Sequence, residues 1–420
     1  MNSFLNNSIM PENGEAIFFN AMPSRSEPYS YIFRSPSEIL TLTAKNAYAQ
    51  LNKIESAIGN GKYCAGFFSY ELNSVFDGIE CWNDEECLGI WGIYDGVRRY
   101  DHLSKEWTEI GNAPPFPELS EMKDAKISSF SPHIDFDEYK NVIERIHEAI
   151  RSGATYQVNY TFPVYLKIDG DLWGLFVRLL EMQPVPYASF QVWPDKKILS
   201  ISPELFIHRS GRKILMKPMK GTASRCMNSK EDGEMKNWLN RDEKNRAENI
   251  MIVDMIRNDL GRIGTEVRVE NLFEIEEYPT VWQMTSTVSC EAKDGIELSE
   301  ILRAVFPSGS VTGAPKISTM KMIRELEKTP REVYCGAIGY ILSKEEFRFS
   351  VPIRTLESAS DNNWRLSVGS GITIDSDPTK EYEECIDKAK FVMKLVGADQ
   401  RVLSCGEHAG SRSELMEGKR

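Results

Sequence analysis

The chain has 420 residues, of which 41% are hydrophobic and 27% are charged, and its formal net charge is -12. This is the composition of a globular protein, and the length allows several domains or one large composite domain. The acidic balance excludes a general nucleic-acid binder, which needs a basic face, and no apolar run reaches the roughly 20 residues of a membrane-spanning helix.

The eight cysteines are scattered without the spacing of metal ligands. The first 25 residues lack a basic start followed by an apolar run, so we expect no signal peptide and reduced thiols in the cytoplasm. Cys87 lies in "ECLGI", where Glu86 replaces the glycine that the sharp nucleophile turn of a glutamine amidotransferase requires. We therefore expect Cys87 to be a packed thiol.

Residues 1–125 contain short β-like runs, and the Pro-rich, polar stretch 111–132 predicts a linker. The following "IDFDEYKNVIERIHEAIRSG" predicts an amphipathic helix, because its apolar residues recur at helical spacing. Asp135 with Glu138 is typical of a capping box at the start of this helix, and Gly153 is typical of its end.

A second helix is predicted in "LWGLFVRLLEMQPVP", ended by Pro184. Four β-like runs follow: "ASFQVW", "KILSIS", "ELFIHR" and "KILMKPM". Residues 209–212, "RSGR", predict a hairpin turn between the last two runs. If these runs pair, Glu204 and Lys220 lie near one another at the open end of the hairpin.

The stretch "AENIMIVDMIRNDLG" is apolar nearly all round and predicts a buried helix capped by Gly261. The alternating "FRFSVPIRTLE" predicts a strand with Arg354 on its polar face. A last helix is predicted to begin at Asp377 and Pro378. Strands and helices mix without a strict βαβ rhythm, which favours an α+β fold.

Two glycine-containing loops and one arginine are candidates for binding a small anion. "PSGSVTGAPKISTMKMI" (307–323) runs into a helix start at Pro315, where free N–H groups attract carboxylate or phosphate, although an ordinary turn is an equal alternative. In "GSGITIDSDP" (369–378), Gly371 permits close approach of the backbone, as would a β-bulge. The Arg354 guanidinium can bind a carboxylate through two parallel hydrogen bonds, but a surface arginine is the alternative.

Three acids are candidates for a divalent cation. Glu381 and Glu384 share a face of the last helix, and Glu248 stands near the start of the earlier apolar helix. Such acids can hold Mg²⁺, which prefers carboxylate oxygen. Spacing alone favours solvated helix residues, so this site remains a hypothesis.

Seven motifs occur in a fixed order: "ISPELF", "KPMKGT", "AENIMIVDMIRNDLGR", "PSGSVTGAPK", "GAIGYI", "FSVPIRTLE" and "GSGITIDSDPTKEYEECIDKA". The set resembles the chorismate-binding enzymes, which make anthranilate, aminodeoxychorismate, isochorismate or salicylate. The resemblance implies two facing antiparallel β-sheets wrapped by helices, with chorismate and Mg²⁺ between them. It also implies a less recognisable N-terminal part of a composite fold (1–125) and a chorismate-binding catalytic region (130–397). The polar composition of residues 398–420 predicts a flexible tail.

Matched by position, Glu248, Glu381 and Glu384 resemble the Mg²⁺-side acids of this family. The residues that resemble its substrate-binding positions are Thr222, Ser310, Tyr340, Arg354, Gly369, Ser370, Gly371 and Lys388. Asn245 stands where some relatives carry another acid, and Gln283 where many carry histidine. We assign Gln283 no catalytic role, because an amide does not exchange protons near neutral pH.

The tripeptide Lys-Gly-Thr at Lys220 resembles the aminodeoxychorismate branch of the family, whereas the anthranilate and salicylate branches have Ala-Gly-Thr. The resemblance implies that the Lys220 amine attacks C2 of chorismate and that Glu204 protonates the leaving C4 hydroxyl. Burial or a neighbouring cation, Mg²⁺ or Arg354, should lower the pKa of this lysine. Ammonia is the implied second substrate, and a separate glutamine amidotransferase subunit is the implied partner. The anthranilate branch and a non-catalytic chorismate-binding relative remain the alternatives.

Overall fold

The computed structural model of the protein describes residues 10–83, 85–116, 122–360 and 362–395. The strands are β1 (Glu15–Phe19), β2 (Tyr29–Phe33), β3 (Glu38–Leu42), β4 (Tyr63–Phe68), β5 (Gly89–Tyr94), β6 (Gly96–Asp101), β7 (Glu106–Gly111), β8 (Ala125–Pro132), β9 (Gln157–Gly170), β10 (Tyr187–Trp193), β11 (Lys196–Ser202), β12 (Leu205–Ser210), β13 (Lys213–Lys217), β14 (Met219–Ser224), β15 (Gly264–Glu277), β16 (Val281–Ala292), β17 (Gly313–Ala314), β18 (Ala337–Ser343), β19 (Glu346–Ser350), β20 (Thr355–Ser360) and β21 (Asn363–Ile372).

The helices complete the described secondary structure. They are α1 (Ala47–Gly59), α2 (Asn73–Asp77), α3 (Phe136–Arg151), α4 (Leu172–Met182), α5 (Ser229–Arg241), α6 (Glu243–Ile263), α7 (Leu298–Val305), α8 (Lys316–Leu326) and α9 (Pro378–Leu395). Single turns of 3₁₀-helix cover Tyr70–Leu72 and Gly309–Val311. The predicted tail, 398–420, lies outside the described residues.

The strands form two antiparallel sheets. The first has eleven strands in the order β17-β9-β21-β20-β11-β10-β1-β2-β6-β7, with β8 also paired to β9. The second has ten strands in the order β14-β16-β13-β12-β19-β18-β4-β5-β3, with β15 also paired to β16. The N-terminal strands are divided between them, since β1, β2, β6 and β7 join the first sheet and β3, β4 and β5 join the second. The predicted α+β class is confirmed.

Apolar side chains bury the inner face of each sheet and hold the two sheets together. Helices α3, α4 and α9 pack with strands of the first sheet, and α1, α6 and α7 pack with strands of the second. A third cluster joins the sheets, because Phe18 and Phe33 of the first sheet pack there with Phe67 and Tyr94 of the second. Each fully buried side chain of this size contributes roughly 1.5–3 kcal/mol to folding.

Three predicted helix starts are confirmed by side-chain caps. The Asp135 carboxylate accepts a hydrogen bond from the Glu138 N–H at 2.9 Å, and Asp377 accepts one from the Lys380 N–H at 3.0 Å. Helix α4 begins after Asp171 and ends before Pro184, as its sequence predicts. These caps satisfy N–H groups that a helix start otherwise leaves unpaired.

Three sequence predictions about strand β8 and helix α6 are wrong. Residues 125–132 are not a linker but strand β8, which pairs with β9. Gly261 is not a cap, because α6 continues through it to Ile263 and ends at Gly264. Helix α6 is also not buried all round, since Ile250 is 49% exposed.

Two of the segments at which the chain passes from one sheet to the other, 203–204 and 351–354, lie side by side, and together we call them the seam. The first segment links β11 to β12, and the second links β19 to β20. The Val351 N–H donates to the Glu204 carbonyl at 3.0 Å, and the Ile201 N–H donates to the Arg354 carbonyl at 3.1 Å. Arg354 therefore lies in an irregular crossing with φ of 51°, and its predicted place on a strand is wrong. The alternating sequence continues through the crossing and conceals it.

Among the helices of the described ranges, none combines the length and the apolar character needed to cross a membrane.

Candidate functional site

Lys220 lies on β14, next to a residue whose backbone conformation only glycine adopts easily. Gly221 has φ of 97°, and a Cβ atom at that position would lie 3.0 Å from Asn245 Oδ1. Burial lowers the pKa of the Lys220 amine, and the Lys388 ammonium lowers it further, whereas the carboxylates of Glu248 and Glu204 act in the opposite direction. The shift is in the direction of the neutral amine that a nucleophile needs, and the neighbouring cation that contributes to it is Lys388.

Glu204 lies in the seam and is 3% exposed. Burial raises the pKa of its carboxyl group to about 7, against the opposing effects of the Ser310 hydroxyl, the Lys220 ammonium and the Met219 backbone N–H. The Ser310 Oγ donates to Glu204 Oε1 at 2.5 Å. A carboxyl group with a pKa near neutrality can both donate and accept a proton under ordinary conditions.

A glycine makes room for the Lys220 amine. A Cβ atom on Gly371 would lie 3.2 Å from Lys220 Nζ and 2.3 Å from Gln157 Nε2. The predicted close approach at Gly371 is therefore confirmed, and the close neighbours are the side chains of Lys220 and Gln157. Gln157 is 1% exposed, and its Oε1 has no hydrogen-bond partner within the described chain.

Gln157 was not predicted to be a site residue. This glutamine is the first residue of β9, a strand of fourteen mostly apolar residues, and its neighbours Lys220 and Gly371 are distant along the chain. A polar residue at the start of an apolar run was the only local signal. The pairing of β9 with β21, which sets Asn159 opposite Gly371, is what brings it to the site.

The three predicted metal-site acids come from two helices, α6 for Glu248 and α9 for Glu381 and Glu384. Burial raises the pKa of Glu248; Lys220 and Lys244 oppose this, and the repulsion of Glu381 and Glu384 adds to it. In the described part of the chain no three Asp, Glu, His or Cys side chains lie close enough to hold a metal. The structure therefore does not gather the three carboxylates into a metal site, although Glu381 and Glu384 lie near enough to act on Glu248, and oxygen donors of this kind suit a hard cation such as Mg²⁺.

Several of the predicted substrate-binding groups lie near Lys220 and the predicted metal-site acids. The Lys388 Nζ donates to the Gly369 carbonyl at 3.0 Å and lies 2.7 Å from a Glu384 oxygen. Ser370 is buried, and its Oγ lies 3.4 Å from the Tyr139 hydroxyl. The Thr222 hydroxyl donates to Gln283 Oε1 at 2.9 Å.

Arg354 and the start of α8 were predicted to bind anions. Burial lowers the pKa of the Arg354 guanidinium, whose Nη1 donates to Gln183 Oε1 at 3.3 Å. Within the described part of the chain, the other donors of this guanidinium have no protein partner and could bind a ligand. Helix α8 starts after Pro315, as predicted. Lys316 at this start is engaged elsewhere, since it donates to the Val305 carbonyl at 2.8 Å and to Asp259 at 3.2 Å.

Tyr340 lies apart from these residues. Its ring packs against Tyr31 and Phe18, with ring centroids 4.6 Å and 5.1 Å away, and its cross-strand neighbour is Arg348. Successive strand residues point to opposite faces of a sheet. The position of Tyr340 on β18 directs its ring toward Phe18, Tyr31 and Phe33, and we call these four residues the aromatic cluster. The structure gives no support to its predicted contact with substrate.

Cys87 is the packed thiol that the sequence predicts. Its Sγ contacts the Gly89 carbonyl at 3.7 Å, and burial raises the pKa of the thiol. A thiol with a raised pKa is a poor nucleophile.

Comparison with known proteins shows which family this chain matches. The model of the chorismate binding enzyme family matches residues 21–394. Aminodeoxychorismate synthase component 1 from Escherichia coli is 33% identical over 348 residues, covering 78% of this chain and 76% of that protein. The protein of the same name from Bacillus subtilis is 37% identical over 330 residues, covering 76% and 69%. The crystal structure of anthranilate synthase component I from Streptococcus pneumoniae superposes with a TM-score of 0.77 at 25% identity, covering 88% and 93%.

Proposed function

Since the chain belongs to the chorismate-binding enzyme family, we propose that it converts chorismate and ammonia to 4-amino-4-deoxychorismate, on the route to para-aminobenzoate and folate. One observation carries the proposal. A partly buried lysine with a lowered pKa and a buried glutamic acid with a pKa of about 7 lie within electrostatic reach of one another next to the seam. Those are the protonation properties that a nucleophile and a general acid require.

In the first half of the reaction the neutral Lys220 amine forms a bond to C2 of chorismate. The ring double bonds shift, and the C4–oxygen bond breaks as Glu204 donates its proton, so that water leaves. The nitrogen bound to C2 returns a proton to Glu204. A covalent step of this kind divides one difficult displacement into two easier ones.

In the second half ammonia forms a bond to C4, the double bonds shift back and the C2–nitrogen bond breaks. Glu204 protonates the departing amine and regains a proton from the new ammonium group. The sum is chorismate plus ammonia giving 4-amino-4-deoxychorismate plus water, with both side chains restored.

We assign the metal to Glu248, Glu381 and Glu384, whose carboxylate donors suit Mg²⁺. When bound, the ion would supply positive charge beside the ring carboxylate of chorismate and favour loss of the C4 hydroxyl. The remaining anion contacts are assigned to the Arg354 guanidinium, the Lys388 ammonium and the backbone of Gly369–Gly371. Thr222, Ser310 and Ser370 supply hydroxyl groups near the ring.

The proposed partner is a glutamine amidotransferase subunit. "Component 1" in the names of the relatives implies a second component, and the described chain has no thiol in the setting of a glutaminase nucleophile. The chain alone should therefore use ammonium salts and not glutamine. Addition of an amidotransferase subunit should restore the use of glutamine.

Incubation of the purified chain with chorismate, Mg²⁺ and ammonium, followed by chromatography, tests the proposal. We expect 4-amino-4-deoxychorismate. The similarity to an anthranilate synthase structure makes formation of anthranilate the second candidate, and that product would overturn our choice of branch. Bound but unconverted chorismate would indicate a non-catalytic relative.

A further inference from the structure

A buried ion pair that the proposed chemistry does not use lies behind the loop of Ser310. Arg331 is 3% exposed and Glu327 is 7% exposed. The Arg331 Nε donates to Glu327 Oε2 at 2.9 Å, and its Nη2 donates to Glu327 Oε1 at 2.7 Å. Two parallel bonds of this kind fix the plane of a guanidinium group.

The same guanidinium also holds two backbone carbonyls. Its Nη1 donates to the Val311 carbonyl at 2.8 Å, and its Nη2 donates to the Asn159 carbonyl at 2.6 Å. Val311 follows Ser310, whose hydroxyl donates to Glu204. Asn159 pairs across the sheet with Gly371, the glycine against which Lys220 lies.

Further contacts restrict this ion pair. Glu327 Oε1 accepts hydrogen bonds from the N–H and the hydroxyl of Thr161, both at 2.9 Å. The Arg331 backbone N–H donates to Glu71 Oε1 at 2.6 Å, and the guanidinium lies 4.3 Å from the centre of the Tyr70 ring. The guanidinium thus cannot shift without breaking several buried hydrogen bonds, each costly to leave unmade.

From these contacts we infer that Arg331 is a positioning residue, which sets Glu204 and Lys220 at a fixed separation without touching the substrate. The Nη1 group of Arg331 holds the backbone at Val311, next to Ser310, which is the hydrogen-bond partner of Glu204. The Nη2 group holds strand β9 at Asn159, opposite Gly371. The inference rests on the proposed function, because it assigns Arg331 a role in the reaction of those two residues.

The test is Arg331→Lys, which keeps the positive charge but, with three N–H donors on one nitrogen, cannot replace the four hydrogen bonds that the guanidinium makes to Glu327, Val311 and Asn159. The matched control is Arg209→Lys. Arg209 is 6% exposed and donates to the carbonyls of Gly211 and Ile296 at 3.1 Å and 3.4 Å, away from the site. Folding of both variants is compared by circular dichroism and thermal unfolding.

We expect Arg331→Lys to lower kcat about 100-fold, the cost of a displacement of about 1 Å at a reacting group. The KM for chorismate should change little, since the anion contacts remain. The basic limb of the pH profile should move to higher pH, because the Ser310 hydrogen bond that lowers the pKa of Glu204 is weakened. Arg209→Lys should alter none of these quantities.

Folded Arg331→Lys with the kcat and pH profile of Arg209→Lys would overturn the inference. If Arg331→Lys does not fold, Glu327→Gln takes its place, with the same expected changes. Failure of both to fold would show a purely structural pair and would also overturn it. Lys220→Ala, assayed in parallel, separates the two claims: full activity there refutes the proposed function, whereas its loss beside an unaffected Arg331→Lys refutes only the positioning role.

Discussion

Two regions where the sheets meet each contain a partly buried basic side chain, but the groups that face it differ. At the site, Lys220 faces the carboxylates of Glu204 and Glu248. In the aromatic cluster, defined by Phe18, Tyr31, Phe33 and Tyr340, the cation is Arg348, which faces phenol groups and lies 3.4 Å from a Glu27 oxygen.

This difference decides which region can do acid–base chemistry. Burial raises the pKa of Tyr31 and Tyr340, so their hydroxyls keep their protons at neutral pH. Burial instead brings the pKa of Glu204 to about 7 and lowers that of Lys220. Two partly buried basic residues thus lie in different surroundings, and of these two regions the one next to the seam contains a carboxyl group, that of Glu204, which titrates near neutrality.

The largest expected effect is that of Lys220→Ala. Loss of the nucleophile should reduce formation of 4-amino-4-deoxychorismate by up to about 10⁶-fold, as deletion of the nucleophilic serine does in a serine protease. Chorismate binding should weaken little, because the anion contacts remain; equilibrium dialysis measures this. An unchanged rate would mean that the lysine is structural.

Glu204→Gln should lower kcat about 10²- to 10⁴-fold, because the amide keeps the shape of the carboxyl group but cannot donate a proton to the leaving hydroxyl. In the unmodified chain Glu204 must be protonated, so activity should fall as pH rises through about 7. The pH dependence of kcat checks the assignment. A basic limb that persists in the residual activity of the variant would point to another acid.

Glu384→Gln should increase the Mg²⁺ concentration needed for half-maximal rate by about 10- to 100-fold, as loss of a supporting metal contact does. The substitution removes one negative charge at nearly constant shape. Activity is measured against Mg²⁺ concentration, with thermal unfolding as the control for folding. Full activity of this variant in EDTA would contradict the metal assignment.

Tyr340→Phe should have the smallest effect on catalysis. The hydroxyl belongs to the aromatic cluster, so kcat/KM should stay near its original value while the free energy of unfolding falls by about 1 kcal/mol. Steady-state kinetics and denaturant unfolding measure the two quantities. A large loss of kcat/KM in the folded variant would restore Tyr340 to the substrate site.

Local patterns were sufficient for features that depend on neighbouring residues. The caps at Asp135 and Asp377 and the hairpin at 209–212 were predicted because helix starts and tight turns are determined within a few residues. The nearness of Glu204 and Lys220 followed from that hairpin.

Features that depend on the pairing of distant strands could not be predicted from local sequence patterns. Alternation in "FRFSVPIRTLE" continues through residues 351–354, so it conceals the passage from one sheet to the other that positions Arg354. The packing of Tyr340 against Tyr31 and Phe18 was not predicted, because a motif match does not reveal which face of a strand a residue occupies. Gln157 and Arg331 reach the site region only through the pairing of β9 with β21 and through buried hydrogen bonds.

The central claim is that Lys220 forms a covalent bond to the substrate, and intact-protein mass spectrometry tests it most directly. The chain is incubated with chorismate and Mg²⁺ in the absence of ammonia, so that the second half of the reaction cannot proceed. We expect the protein mass to increase by the mass of chorismate minus that of water. Peptide mapping should place the modification within residues 213–225, and the Lys220→Ala variant should not show it. Unmodified mass from an enzyme that turns over once ammonia is added, or an adduct on another residue, would contradict it.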